Sequence, residues 1–152
     1  MTTLHTIRVR VYYEDTDAGG IVYYANYLKF FERARTDWLR ALGVEQRILA
    51  EQGLIFVVRE CALRFDRPAR LDDELLVAVA IAEPATDVKR VSLRLAQQAQ
   101  RAGDGALLAA GSVRIACVEP RSGRPAAMPG WLIERIDGAV AAASAESSPR
   151  AS

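Results

Sequence analysis

Ile7, Val9 and Val11 alternate with Arg8, Arg10 and Tyr12, a period of two that predicts a half-buried strand near the start of the chain. The period then lengthens. Tyr27, Phe30, Phe31, Ala34, Trp38, Leu39 and Leu42 recur at steps of three and four, which predicts a helix with one broad apolar stripe, stopped at Gly43. Glu32, Arg33, Arg35, Asp37 and Arg40 take much of the other face, so the stripe belongs against a core. A shorter helical patch covers about 45–52 and ends at Gly53. Period two returns after it. Phe56 and Val58 share one phase, whereas Cys61, Leu63 and Phe65 take the opposite one, and the switch at Arg59-Glu60 predicts a bulge. Three more strands are expected over about 74–83, 88–100 and 106–118. Their inner rows read Leu75, Val77, Val79 and Ile81, then Val91, Leu93 and Leu95, then Leu107, Ala109, Val113, Ile115 and Cys117.

The segments Glu83-Pro84-Ala85-Thr86 and Ala102-Gly103-Asp104-Gly105 have turn chemistry, and strands joined so tightly are antiparallel. The plan is therefore a strand, a long helix and four further strands: an α+β domain with one dominant helix on one face of one sheet. Its 152 residues suit one domain, expected over 1–137. From Gly138 onward Ala, Ser and Pro dominate without periodicity, which predicts a disordered tail over 138–152.

Composition narrows the chemistry. A net charge of +1 gives no global attraction to nucleic acid or an anionic membrane, so any anion site is local. No apolar run approaches the roughly 20 residues of a membrane span, and Met1 to Thr6 lacks the apolar region of a signal peptide. Cys61 and Cys117 have no zinc-ligand spacing and lie in strand-like runs, so buried thiols and a cytoplasmic location are expected. The only histidine is His5, close to a chain end. A Ser-His-Asp or Cys-His enzyme would need that imidazole beside its nucleophile. Histidine-rich metal sites are excluded, and a carboxylate is the expected base.

Carboxylates and glycines concentrate in the run Tyr13-Glu14-Asp15-Thr16-Asp17-Ala18-Gly19-Gly20-Ile21-Val22-Tyr23-Tyr24-Ala25-Asn26-Tyr27, which feeds the start of the core helix. Unpaired N–H groups and the helix dipole favour negative charge there. A carbonyl oxygen turning negative during acyl transfer fits such a place, with a nearby carboxylate as base or nucleophile. Aspartates in such a loop also cap helices and close Asx-turns, so position alone leaves both roles open.

This run closely resembles the signature of the hotdog thioesterases of the 4-hydroxybenzoyl-CoA thioesterase type, with the strongest likeness to the Tol-Pal-associated acyl-CoA thioesterase (YbgC) branch. Phe31-Glu32-Arg33-Ala34-Arg35-Thr36, Phe56-Val57-Val58-Arg59 and Pro68-Ala69-Arg70-Leu71-Asp72-Asp73 carry the same resemblance, which spans about 7–135. It implies a hotdog fold, a five-stranded antiparallel sheet in the order 1-3-4-5-2 wrapped around one long central helix. It also implies a homodimer or homotetramer with active sites between subunits. The family's catalytic carboxylate falls on Asp17, with Asp15 structural, and its oxyanion donor on the backbone N–H of Tyr24. Many members of the branch carry His where this chain has Tyr24; a backbone donor does not depend on that side chain.

The implied reaction is hydrolysis of an acyl-CoA to a free acid and coenzyme A, without a metal or redox cofactor. Gly20, Val22, Tyr23, Asn26 and Tyr27 are candidate substrate-binding residues, although the last three serve equally well as packing. Coenzyme A phosphates need local cations, for which Lys89 and Arg90 are the leading candidates and Arg59, Arg64 and Arg67 further ones. Charges at a strand edge also simply solvate it. Glu32 is expected in a structural salt bridge. Two rival readings follow. Hotdog hydratases pair a His with an acid, against which the single His5 argues. A binder of acyl carrier protein with weak turnover is the other.

Overall fold

The computed structural model describes residues 2–86 and 90–147. Strand β1 (Thr3–Arg10) leads through a single 3-10 turn at Tyr13–Asp15 and a loop to the main helix α1 (Asn26–Ala41). A short helix α2 (Gln46–Glu51) precedes strands β2 (Ile55–Phe65), β3 (Glu74–Thr86), β4 (Ser92–Arg101) and β5 (Leu107–Val118), and helix α3 (Gly130–Ser147) follows. The strands form one antiparallel sheet in the order β1-β3-β4-β5-β2, the order the resemblance implied.

The three-and-four spacing of α1 explains how it sits. Tyr27, Phe30, Phe31, Ala34, Trp38 and Leu39 are all buried along one stripe. They meet Val77, Val79, Leu93 and Leu95, the inner rows of β3 and β4. Truncating one such buried Phe costs roughly 3–5 kcal/mol, so the helix is fixed on the sheet mainly by this stripe. Arg135 of α3 closes the far end of α1: its Nη1 donates to the carbonyls of Leu42 at 3.3 Å and Gly43 at 3.0 Å, where helix carbonyls lack partners.

Helix α1 packs on β1, β3 and β4 and leaves much of the inner side of β2 uncovered. That placement corrects one expectation. Cys61 is exposed, as is Phe65, although both stand in the phase that points to the helix side; only Cys117 is a buried thiol. The expected bulge is present, with the β2–β5 register shifting between Val58 and Glu60. A second irregularity carries no signal in the sequence. Ala99 pairs Ala109 but Gln100 pairs Leu107, so Leu108 is the extra residue and takes the fully buried place expected for Leu107.

The expected tail is also corrected. Helix α3 continues past Gly138 to Ser147, and the last five positions of the expected tail, 148–152, lie outside the described residues. Leu132, Ile133 and Ile136 are buried and Val140 packs on the core, which anchors the helix. The alanines that follow are the strongest helix formers and propagate it without needing an apolar period. No helix among the described residues is long and apolar enough to cross a membrane.

Candidate active site

The loop before α1 is held at both ends by backbone bonds. The Asp17 N–H donates to the Ile21 carbonyl at 2.9 Å and the Gly20 N–H returns to the Asp17 carbonyl at 3.0 Å, closing a tight turn. Gly20 turns the chain at φ +76°, a conformation that favours glycine. Thr16 bridges Val22, Ile21 bridges Arg70, and the Val22 N–H donates to the Ala69 carbonyl at 2.9 Å. The loop is thus stitched to the segment between β2 and β3.

The two aspartates are held differently. Asp15 is engaged within the loop: its Oδ2 accepts the Tyr12 N–H at 2.8 Å, and its carbonyl accepts the Tyr23 N–H at 2.9 Å and the Asn26 Nδ2 at 2.8 Å. Asp17 is exposed, its Oδ1 accepts the Gly19 N–H at 2.8 Å, and its second oxygen has no partner among the described residues. An anchored yet accessible carboxylate can take a proton or attack carbon.

The backbone turns into α1 through Tyr23, Tyr24 and Ala25. The N–H groups of Tyr24 and Ala25 donate to no backbone carbonyl among the described residues. They stand at the positive end of a 16-residue helix, a place that favours negative charge. The rings of Tyr23 and Tyr24 lie 4.9 Å apart. Interaction with the adjacent Tyr24 hydroxyl raises the Tyr23 hydroxyl above the ordinary tyrosine value.

Tyr24 and Tyr27 close on Phe65 at 6.0 and 5.7 Å between ring centroids. With Ile21, Val22, Pro68, Asp66 and the candidate cation Arg67 they line a cavity of about 300 Å³. Val22 and Tyr27 are buried, and burial pushes the Tyr27 hydroxyl upward, so these two combine packing with a share of the cavity wall. Asn26 is committed to Asp15. A larger cavity, about 550 Å³, opens where α1 leaves β2 uncovered, between Leu28, Glu32 and Arg35 on the helix and Val58, Cys61 and Val113 on the sheet. Gln97, buried on β4, accepts the Arg35 Nη1 at 2.9 Å and donates to the Phe31 carbonyl at 3.0 Å. Burial lowers the Arg35 guanidinium from the ordinary arginine value.

The remaining candidates fall elsewhere. Arg59 is exposed at the β2 bulge, and no hydrogen bond, ion pair or ring contact of the described residues joins it to the Asp17 loop. Arg90 is exposed with φ +55°, and its carbonyl accepts the Met128 N–H. Lys89 lies outside the described residues. Glu32 accepts the Thr36 hydroxyl at 2.8 Å rather than an ion-pair partner. His5 meets Asp37 at 2.7 Å on the body of α1 and takes no part in the loop. No group of three or more His, Cys, Asp or Glu among the described residues is placed to hold a metal ion.

Phe65, Leu28 and the Arg35–Gln97 pair were missed as site elements. Phe65 reads in sequence as one more inner strand residue, and nothing along the chain marks the place where the helix stops covering it.

A family model of the thioesterase-like superfamily matches residues 11–136. The acyl-CoA thioesterase YbgC of Haemophilus influenzae is 45% identical over 122 residues, covering 80% of this chain and 85% of its own. The acyl-CoA thioester hydrolase YbgC of Escherichia coli O157:H7 is 43% identical over 132 residues, covering 87% and 95%. Among solved structures, a thioesterase of Thermus thermophilus complexed with coenzyme A and Zn superposes with a TM-score of 0.77 at 28% identity, covering 92% of this chain and 96% of that one.

Proposed function

Because the chain belongs to the thioesterase-like superfamily and is a thioesterase, we propose that it hydrolyses acyl-CoA thioesters with the Asp17 carboxylate as its working group. The observation that carries this reading is the Asp17 side chain itself. One oxygen is pinned by the Gly19 N–H and the other is open, in the loop that delivers the unpaired N–H groups of Tyr24 and Ala25. The thioester oxygen sits at those N–H groups, which stabilise it as it turns negative. Asp17 either attacks the carbonyl carbon or takes the proton from the water that does. The carbon–sulfur bond breaks, the thiolate leaves and is protonated, and one water is consumed to give a carboxylic acid and coenzyme A. The reaction so written calls for no metal or redox group.

The acyl group occupies the apolar ground beside Tyr27, Phe65 and Leu28. Arg90 and Lys89 are the proposed cations for the coenzyme phosphates, with Arg59 secondary. A homo-oligomer is supported by the free edge of β2, the last strand of the sheet, and by the exposed Val58 and Phe65 on it.

Thiol release from short aliphatic, long aliphatic and 4-hydroxybenzoyl-CoA tests the reading, with wild type and Asp17→Asn side by side. Turnover lost in the variant with binding retained is the expected result; full activity in Asp17→Asn sinks the role of Asp17. After a single turnover in ¹⁸O water, label in the Asp17 carboxylate would establish the nucleophilic route, since it enters there only by water attack on the Asp17 carbonyl of an acyl-enzyme anhydride. Release from acyl carrier protein thioesters alone would move the substrate to the carrier protein.

A further inference from the structure

The loop that bears Asp17 does not rest on the core by side-chain packing alone. It rests on the neighbouring segment 66–73, and that segment is gripped from outside by Arg101 at the end of β4. The three guanidinium nitrogens take three different partners. Nη2 donates to the Pro68 carbonyl at 2.9 Å, Nε to Asp73 Oδ2 at 3.3 Å and Nη1 to Asp104 Oδ2 at 2.8 Å. Asp73 Oδ2 in turn accepts the Arg70 N–H at 2.9 Å, and the Asp73 N–H returns to the Arg70 carbonyl at 3.1 Å. Between these two fixed points, Pro68 and Arg70, lies Ala69, fully buried, whose carbonyl holds the Val22 N–H. Arg70 bridges Ile21, and the Ile21 carbonyl holds the Asp17 N–H.

We propose that Arg101 is a positioning residue for the thioesterase site, fixing segment 68–73 through Pro68 and Asp73 so that Ile21 and Val22, and through them the Asp17 turn, are held in working geometry. The inference rests on the reading of Asp17 as the working carboxylate. Its partners divide cleanly. Pro68 and Asp73 lie on the path to Asp17, whereas Asp104 belongs to the exposed β4–β5 turn and leads nowhere near it. Arg101 and Asp73 side chains are only 26% and 25% exposed, so water replaces these bonds poorly. Lysine carries the charge but has one point donor group in place of a planar fork, and cannot serve Pro68 and Asp73 together in the same geometry. Misplacing a reacting group by about 1 Å costs up to roughly 100-fold in rate, so a loosened turn is read in kcat.

The test uses the full-length enzyme as Arg101→Lys, Arg101→Gln and Asp104→Asn. Steady-state thiol release is measured on the best acyl-CoA of the wild type, and amide hydrogen exchange at Asp17, Val22, Val77 and Leu95. Both Arg101 variants are expected to lose about 10- to 100-fold in kcat with KM little changed. Exchange at Asp17 and Val22 speeds up by about tenfold or more, while the core amides of Val77 and Leu95 keep their protection. Asp104→Asn leaves rate and exchange as in the wild type. Should Arg101→Gln not fold, Arg101→Lys carries the same comparison. Wild-type kcat in the Arg101 variants, unchanged exchange at Asp17 and Val22, or exchange raised equally in the core would each overturn the proposal. A wild type that hydrolyses no thioester, or a fully active Asp17→Asn, overturns the functional reading instead, and the exchange data still decide whether Arg101 holds the loop.

Discussion

Asp15 and Asp17 stand two residues apart in one loop, yet their carboxylates face opposite demands: Asp15 caps the Tyr12 N–H, and Asp17 keeps one oxygen free. Substitution should separate them. Asp17→Asn retains an oxygen for the Gly19 N–H, so the turn persists and thermal stability stays near wild type, while turnover falls by about 100-fold or more. Asp15→Ala removes the cap and costs about 1 kcal/mol, a drop in Tm of roughly 2–4 °C, with a smaller loss of rate. Thermal denaturation and thiol release on the same samples check both halves.

The two glycines beside Asp17 predict another separation. A Cβ on Gly19 would stand 3.1 Å from Asp17 Oδ1, so Gly19→Ala pushes directly on the Asp17 carboxylate. A Cβ on Gly20 meets nothing, but the φ of +76° must be kept by a residue that disfavours it, at about 1–2 kcal/mol. Gly19→Ala is therefore expected to lose kcat at nearly unchanged Tm, and Gly20→Ala to lose Tm first. Equal profiles for the two variants would remove this assignment.

Much of the fold is written in local periodicity. The stripe from Tyr27 to Leu39 fixes which side of α1 is buried, and the phase change at Arg59-Glu60 marks a bulge because a period of two cannot shift otherwise. What periodicity cannot show is where one element stops covering another. Cys61 and Phe65 carry the phase of core residues and are exposed because α1 crosses β1, β3 and β4 instead. Arg101 reads in sequence as an ordinary strand-end charge, since two of its partners, Pro68 and Asp73, lie 33 and 28 residues earlier. The Asp17 loop was legible by its composition and by family resemblance; the network beneath it is a product of tertiary packing. Residues 138–147 fail differently, because an alanine-rich helix needs no apolar period once an anchored turn precedes it.

Gln97 is a fully buried amide behind the helix wall of the larger cavity, and both ends of it are engaged. Gln97→Leu fits the volume but leaves Arg35 without this acceptor in a half-buried setting. A loss of about 1–3 kcal/mol in urea denaturation is expected, because an unsatisfied buried donor costs its desolvation. The double variant Gln97→Leu, Arg35→Leu removes both polar partners and should recover part of that loss. Strictly additive losses would show that the pair is not coupled.

Two exposed cross-strand pairs contribute to the acid limb of stability. Glu74 accepts Arg8 Nη1 at 2.7 Å, and that hydrogen bond holds its carboxyl below the ordinary value of 4.5; Glu60 is held below it in the same way by Arg114, also at 2.7 Å. A carboxyl depressed in the folded state releases its proton more readily there than in the unfolded chain. Its contribution is thus complete above 4.5 and disappears as the pH falls through the lower, folded value. The urea midpoint is expected to decline between about pH 6 and pH 3, and Arg8→Gln combined with Arg114→Gln to flatten that decline without moving the neutral-pH midpoint far. Because these groups are solvent-accessible, about 1 M salt should flatten it as well by screening. A decline that survives both the double variant and high salt would show that these two pairs are not its source.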